Sequence, residues 1–213
     1  MNIGLMGGTF NPVHYAHLRI AEEAREKYAL DHVIFMPAAE PPHKALTGRV
    51  AFADRYEMVR LAIEDNPFFL ISDLEKRRTG KSYSIDTITD LMAMHPGSML
   101  YMIIGSDSYM ELSLWHRYVD ILRSCCMVVA ERPGKKIEQP LDALPVVIRR
   151  EFHYNSHLNQ LVHQSGLTIN FLTDCLLGIS SSAIRENARQ GNSIRYLVPP
   201  AVEAYIKQKR IYI

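Results

Sequence analysis

The chain reads as an α/β protein built on a Rossmann-like, doubly wound parallel sheet. Two observations predict it. Short apolar runs alternate with longer stretches of helical periodicity, and the polar clusters follow directly on the apolar runs. Strands and helices in such alternation pair as a parallel sheet covered on both faces.

Strands are expected at Asn2–Met6, His32–Met36, Phe69–Asp73, Leu100–Ile104, Met127–Ala130 and Thr168–Leu172. Helices are expected at His14–Tyr28, Val50–Asp65, Ser84–Met94, Ser108–Leu112, Val119–Arg123, Leu144–Val162, Ser181–Gln190 and Pro200–Lys209. In the first helix, Leu18, Ala21, Ala24 and Tyr28 have the spacing of a buried stripe, with Glu22, Glu23, Arg25 and Glu26 facing away. The polar stretch Glu131–Pro140 reads as a surface loop rather than a boundary, so residues 1–213 are expected to form a single domain.

Composition excludes several classes. Of 213 residues, 47% are hydrophobic and 22% charged, and the net charge of +1 offers no basic field for nucleic acid. The three cysteines (Cys125, Cys126, Cys175) lack metal-ligand spacing and fit a reducing compartment. No apolar run reaches the roughly 18 residues of a membrane span. A soluble, cytoplasmic protein is expected, with neither nucleic acid nor membrane as partner. Oligomeric state is left open, a homo-oligomer included.

Ligands of open α/β sheets bind beyond the carboxyl ends of the strands. The clusters Gly7–His17, Pro37–Lys44, Gly105–Ser108 and Ile179–Arg185 would share that rim. In "GGTFNPVHYAH", Gly7 and Gly8 allow close backbone approach, and Asn11-Pro12 has the form of a helix start. His14 and His17 would lie on one face of the first turn, where N–H groups and the helix dipole already favour an anion. Two further positive groups there suit phosphate. A plain strand–turn–helix junction with surface histidines is the competing reading. A metal site fits less well, because no HExxH and no nearby acidic third ligand is present.

"TGKS" (Thr79 to Ser82) has the tail of a phosphate-binding loop, but the position of its first glycine is held by Glu75, and GxGxxG is absent. His153 and His157, with His163 beyond them, could bind a metal, but they lack matching carboxylate or cysteine ligands and read as a solvated helix face. Taken alone, Asp107 reads as a helix N-cap, Trp115 as a core residue and "PPHK" (Pro41 to Lys44) as an exposed proline loop.

"GGTFNPVHYAH" together with "ISSSAIR" (Ile179 to Arg185) resembles the nucleotidylyltransferase superfamily, whose members carry G-G-[ST]-F-D-P-x-H-x-G-H early and I-S-S-T-x-I-R late. "PPHK", "SYSIDTI", "IIGSDS", the tryptophan of "LWHRY" and "RYLVPPAVEAYI" narrow the resemblance to the bacterial nicotinate-nucleotide adenylyltransferases. Asn11 replaces the usual Asp, Ala16 a Gly and Ser182 a Thr, while His116 stands where a tyrosine is common.

The resemblance implies attack of the phosphate of nicotinate mononucleotide on the α-phosphorus of ATP, giving nicotinate adenine dinucleotide and pyrophosphate. His17, His14 and Arg185 would be the catalytic groups. Gly7, Gly8, Thr9, Phe10, Asp107, Ser180 and Ser181 would bind ATP. His43 and Lys44 would hold the mononucleotide phosphate, with Trp115 stacked on its pyridinium and the N–H groups of Tyr83, Ser84 and Ile85 on its carboxylate. Mg²⁺ would arrive with the triphosphate. The rival readings are an adenylyltransferase acting on nicotinamide mononucleotide or phosphopantetheine, and a nucleotide-binding regulator without turnover.

Overall fold

A computed structural model describes residues 1–40, 50–131, 137–173 and 177–212. The described strands form an eight-stranded sheet in the order β3-β2-β1-β4-β5-β8-β7-β6. They are β1 (Asn2–Gly8), β2 (His32–Pro37), β3 (Phe69–Ile71), β4 (Met99–Gly105), β5 (Cys126–Ala130), β6 (Phe152–Asn155), β7 (Gln160–His163) and β8 (Thr168–Leu172). Helices α1 (Tyr15–Lys27), α2 (Phe52–Ile63), α3 (Leu74–Arg77), α4 (Ser84–Met94) and α5 (Ser106–Met110) come first along the chain. They are followed by α6 (Tyr118–Ser124), α7 (Val146–Arg149), α8 (Ser181–Arg189) and α9 (Pro200–Lys209).

Strands β3, β2, β1, β4, β5 and β8 run parallel. Their side chains sort with a period of two, as a sheet buried on both faces requires. Met6, Phe35, Ile103 and Val128 belong to the core under α2, α8 and α9, whereas Leu5, Ile34, Met102, Ile104 and Met127 belong to the core under α4 and α6. Ala21 and Ala24 of the expected α1 stripe are buried in the first core, and Leu18 and Tyr28 pack against it.

One expected element is overturned. The helix over Leu144–Val162 is instead the short α7 followed by β6 and β7, an antiparallel hairpin that extends the sheet beyond β8. Asn155 makes the turn by accepting the N–H groups of His157 and Leu158 at its side-chain oxygen, and Asn159 adopts φ 49°. Both are turn chemistry that a helix cannot use. The sheet is therefore mixed, and His153, His157 and His163 share no helix face. His163 is buried, with Nε2 2.8 Å from Glu151 Oε2.

The strand order reverses at β1, whose two neighbours are β2 and β4. Such a switch point opens a crevice at the carboxyl ends of the strands. The turn after β1 and the start of α5 after β4 both face it.

Candidate functional site

A cavity of about 580 Å³ occupies this crevice, lined by Gly7, Gly8, Thr9 and His17 from one side and by Gly105, Asp107, Tyr83, Ser84 and Trp115 from the other. Gly7 and Gly8 end β1 and differ in what they face. A Cβ on Gly7 would meet open space, while one on Gly8 would lie 3.1–3.3 Å from the ring of Phe10. Phe10 itself is buried and adopts φ 48°, so its ring supports the turn from beneath while its backbone follows the rim.

His14 is the N-cap of α1 and His17 is its third residue. Their rings stack with centroids 3.7 Å apart, and Phe10 meets the His17 ring edge-on at 5.1 Å. The backbone N–H of His14 donates to His17 Nδ1 at 3.2 Å. An Nδ1 that accepts puts the ring proton on Nε2, which gives His17 an Nε2–H donor.

The late motif closes on this turn. Ser180 caps α8 by accepting the Ala183 N–H at 3.2 Å. Ser181 Oγ donates to the carbonyl of Pro12 at 2.8 Å, and Arg185 Nη1 donates to the carbonyl of Asn11 at 2.9 Å. Ser180, Ser181 and Arg185 thus sit at the α1 turn and do not line the cavity beside Trp115.

On the other side, Tyr83 is the N-cap of α4. The N–H groups of Ser84 and Ile85 open that helix, where no intrahelical carbonyl can serve them. Tyr83 and Ser84 line the cavity, whereas the Ile85 side chain is buried in the core. Trp115 is half-buried and lines the cavity with Leu114 and His116. The His116 ring lies 4.3 Å from that of Tyr83. Asp107 is not an N-cap. Gly105 takes that position, and Asp107 sits in the first turn of α5, lining the cavity. His43 and Lys44 lie outside the described residues.

Sequence reasoning missed two residues. Arg55, wholly buried, donates from Nη1 to the carbonyl of Thr9 at 2.7 Å and from Nη2 to that of Ala38 at 2.8 Å. It ties the ends of β1 and β2 together. Its signal was a charge on the apolar stripe of Met58, Val59 and Ala62. Glu75 is buried against the cavity, accepting Thr87 Oγ1 at 2.9 Å. Among the described residues no three His, Cys, Asp or Glu side chains gather into a metal site. No described helix is long and apolar enough to cross a membrane.

A crevice at the switch point, with a two-histidine turn on its wall and the serine-rich start of α8 docked on that turn, is the arrangement of the nucleotidylyltransferase class. The family described as cytidylyltransferase-like matches residues 5–187. A protein of Pelobacter propionicus named probable nicotinate-nucleotide adenylyltransferase is 59% identical over 212 residues, covering 100% of this chain and 98% of that one. A protein of the same name from Geobacter metallireducens is 54% identical over the same shares of the two chains. The chain belongs to the nicotinate-nucleotide adenylyltransferases of the cytidylyltransferase-like family. Its fold is that of the Plasmodium falciparum nicotinic acid mononucleotide adenylyltransferase complexed with NaAD, with a TM-score of 0.77 at 20% identity over 99% of this chain and 97% of that one.

Proposed function

We propose that residues 1–213 act as one cytoplasmic domain that transfers the adenylyl group of MgATP to nicotinate mononucleotide. A mononucleotide phosphate oxygen bonds to the α-phosphorus as the bond from that phosphorus to the bridging oxygen breaks, and pyrophosphate leaves with the electron pair. The attacking phosphate is already ionised at neutral pH, so no general base is needed. Positioning and cancellation of charge supply the catalysis.

The carrying observation is the docking of the late motif on the first, through Ser181 on Pro12 and Arg185 on Asn11. It supports one triphosphate site built from His14, His17, the opening of α8 and Arg185. His17, with its proton on Nε2, donates to an α-phosphate oxygen as charge grows there. Gly7, Gly8, Thr9 and the Phe10 backbone let the nucleotide lie close, and Asp107 faces its ribose. Ser180 and Ser181 add hydroxyl and N–H donors for the β- and γ-phosphates. Mg²⁺ enters as part of the ATP substrate.

The acceptor site lies toward Trp115, whose ring stacks on the pyridinium. The N–H groups opening α4 at Ser84 and Ile85, next to Tyr83, meet the nicotinate carboxylate. Nicotinamide would turn a donor toward donors there, which disfavours it. Lys44 and His43 hold the mononucleotide phosphate.

The test is pyrophosphate release from MgATP with nicotinate mononucleotide, nicotinamide mononucleotide or phosphopantetheine as acceptor. Release with the first, weak with the second and nearly lost in His17→Ala, is expected. Release with phosphopantetheine alone would overturn the acceptor site. ATP binding without release from any acceptor would favour a regulator.

A further inference from the structure

We infer that Tyr212 is a positioning residue for the adenylyl transfer: arriving from beyond α9, its phenol fixes Asn11 and so the turn that carries His14 and His17. This rests on the reaction proposed above. The Tyr212 hydroxyl donates to Asn11 Oδ1 at 2.5 Å, while the Asn11 backbone carbonyl accepts Arg185 Nη1. Asn11 is 5% exposed, so both of its oxygens are satisfied inside the protein by groups more than 170 residues along the chain.

The backbone on both sides of this contact is held against its preference. Phe10, next to Asn11, has φ 48°, and Tyr212 has φ 69°. Bulky residues enter this left-handed region only where their surroundings over-determine it. Here Gly8 receives the Phe10 ring, and Tyr212 is half-buried near the guanidinium groups of Arg55 and Arg185, with Asp54 also close. Desolvation pushes the phenol up from its ordinary value, and a phenol at neutral pH is a donor in any case.

The remaining ties on the turn differ from this one. Arg55 holds the Thr9 carbonyl and Ser181 the Pro12 carbonyl, on either side of Asn11. Arg185 holds Asn11 with a guanidinium that the proposed reaction also asks to grip phosphate. Tyr212 has no such second duty. It keeps Asn11 in place whether or not Arg185 turns its fork toward ATP, and the two histidines follow three and six residues later. A small error in their placement spoils in-line geometry and is felt in kcat more than in acceptor binding.

The test compares Tyr212→Phe, Asn11→Ala and the double variant of the full chain with Tyr205→Phe. The last loses a similar phenol bond, to Asp54 Oδ1 at 2.9 Å, which disturbs the neighbourhood of Tyr212 without touching its bond to Asn11. Tyr212→Phe should lower kcat about tenfold with KM for nicotinate mononucleotide within about twofold. Asn11→Ala should do the same, the double variant no more, and Tyr205→Phe should keep kcat. Imidazole ¹⁵N shifts, read without substrate, should show His17 as the Nε2–H tautomer in the wild type and a mixture in Tyr212→Phe. An unchanged kcat and tautomer in Tyr212→Phe, or a loss matched by Tyr205→Phe, would reduce Tyr212 to an ordinary structural contact. Absence of release in the wild type would instead sink the reaction, leaving the His17 spectrum to decide the positioning.

Discussion

Arg185 Nη1 and the carbonyl of Asn11 lie 2.9 Å apart, a bond across 174 residues that joins the early motif to the late one. The bond has a geometric consequence for the guanidinium. One nitrogen is committed to the protein, which aims the rest of the planar fork. Arg185→Lys keeps the charge but cannot both hold Asn11 and reach a phosphate. We expect kcat/KM for ATP to fall about 10- to 100-fold with an unchanged melting temperature to within a few degrees. Steady-state kinetics beside thermal unfolding checks this, and near wild-type kinetics would remove Arg185 from the triphosphate site.

Gly7 and Gly8 are adjacent yet should fail differently. An added Cβ at Gly8 would meet the Phe10 ring at 3.1–3.3 Å, so the ring must shift inside a packed core. Gly8→Ala should cost about 1–3 kcal/mol in urea unfolding. At Gly7 nothing lies within 4 Å, and the new methyl would stand in the cavity. Gly7→Ala should fold like the wild type and raise KM for ATP several-fold. Equal stability loss in both variants would contradict the separation.

Arg55 is buried with neutral carbonyl partners, and burial pushes its guanidinium below its ordinary value. Two effects oppose each other in Arg55→Met. Relief from burying a charge favours the variant. Against it, two part-buried carbonyls, of Thr9 and Ala38, lose their donor at up to about 1–3 kcal/mol each. The second effect should win, leaving a net loss of about 1–3 kcal/mol in urea unfolding. A stabilised variant would show that the carbonyls find other donors.

Much of this was legible in the sequence because local chemistry and tertiary packing agree. The α1 stripe, the strand at Asn2 and the turn after it follow from periodicity and glycine, whereas the helix start read at Asn11-Pro12 falls three residues later, with His14 as the N-cap. "EFHYNSHLNQLVH" misled because His153 and His157 have helical spacing, while the decisive signal was the Asn155–Asn159 turn between Phe152 and Leu161, inward-facing residues of a hairpin. Arg55 and Tyr212 are different. Their bonds to Thr9 and Asn11 join segments far apart in the chain, and no local pattern encodes such a partner. The proposal of Trp115 and Tyr83 as the acceptor wall came from family resemblance, since a lone tryptophan in isolation reads as core.

The hairpin also sets an acid limit on stability. Glu151 is held by the Arg123 guanidinium, from Nε at 3.0 Å, and by His163 Nε2 at 2.8 Å. His163 Nδ1 accepts the Ser165 N–H, which leaves the Nε2 proton for Glu151. Arg123 first, and His163 after it, bring the Glu151 carboxyl from 4.5 down to about 2. A carboxylate depressed in the folded state stabilises above its unfolded value, because the unfolded chain takes up the proton first as pH falls. The contribution is therefore complete above about pH 5 and is lost progressively between there and about pH 2. Glu151→Gln should melt below the wild type at neutral pH, with the gap closing as pH falls through that window. Thermal unfolding of both proteins across the range measures it, and a gap that stays constant would mean that Glu151 acts through packing and not through its charge.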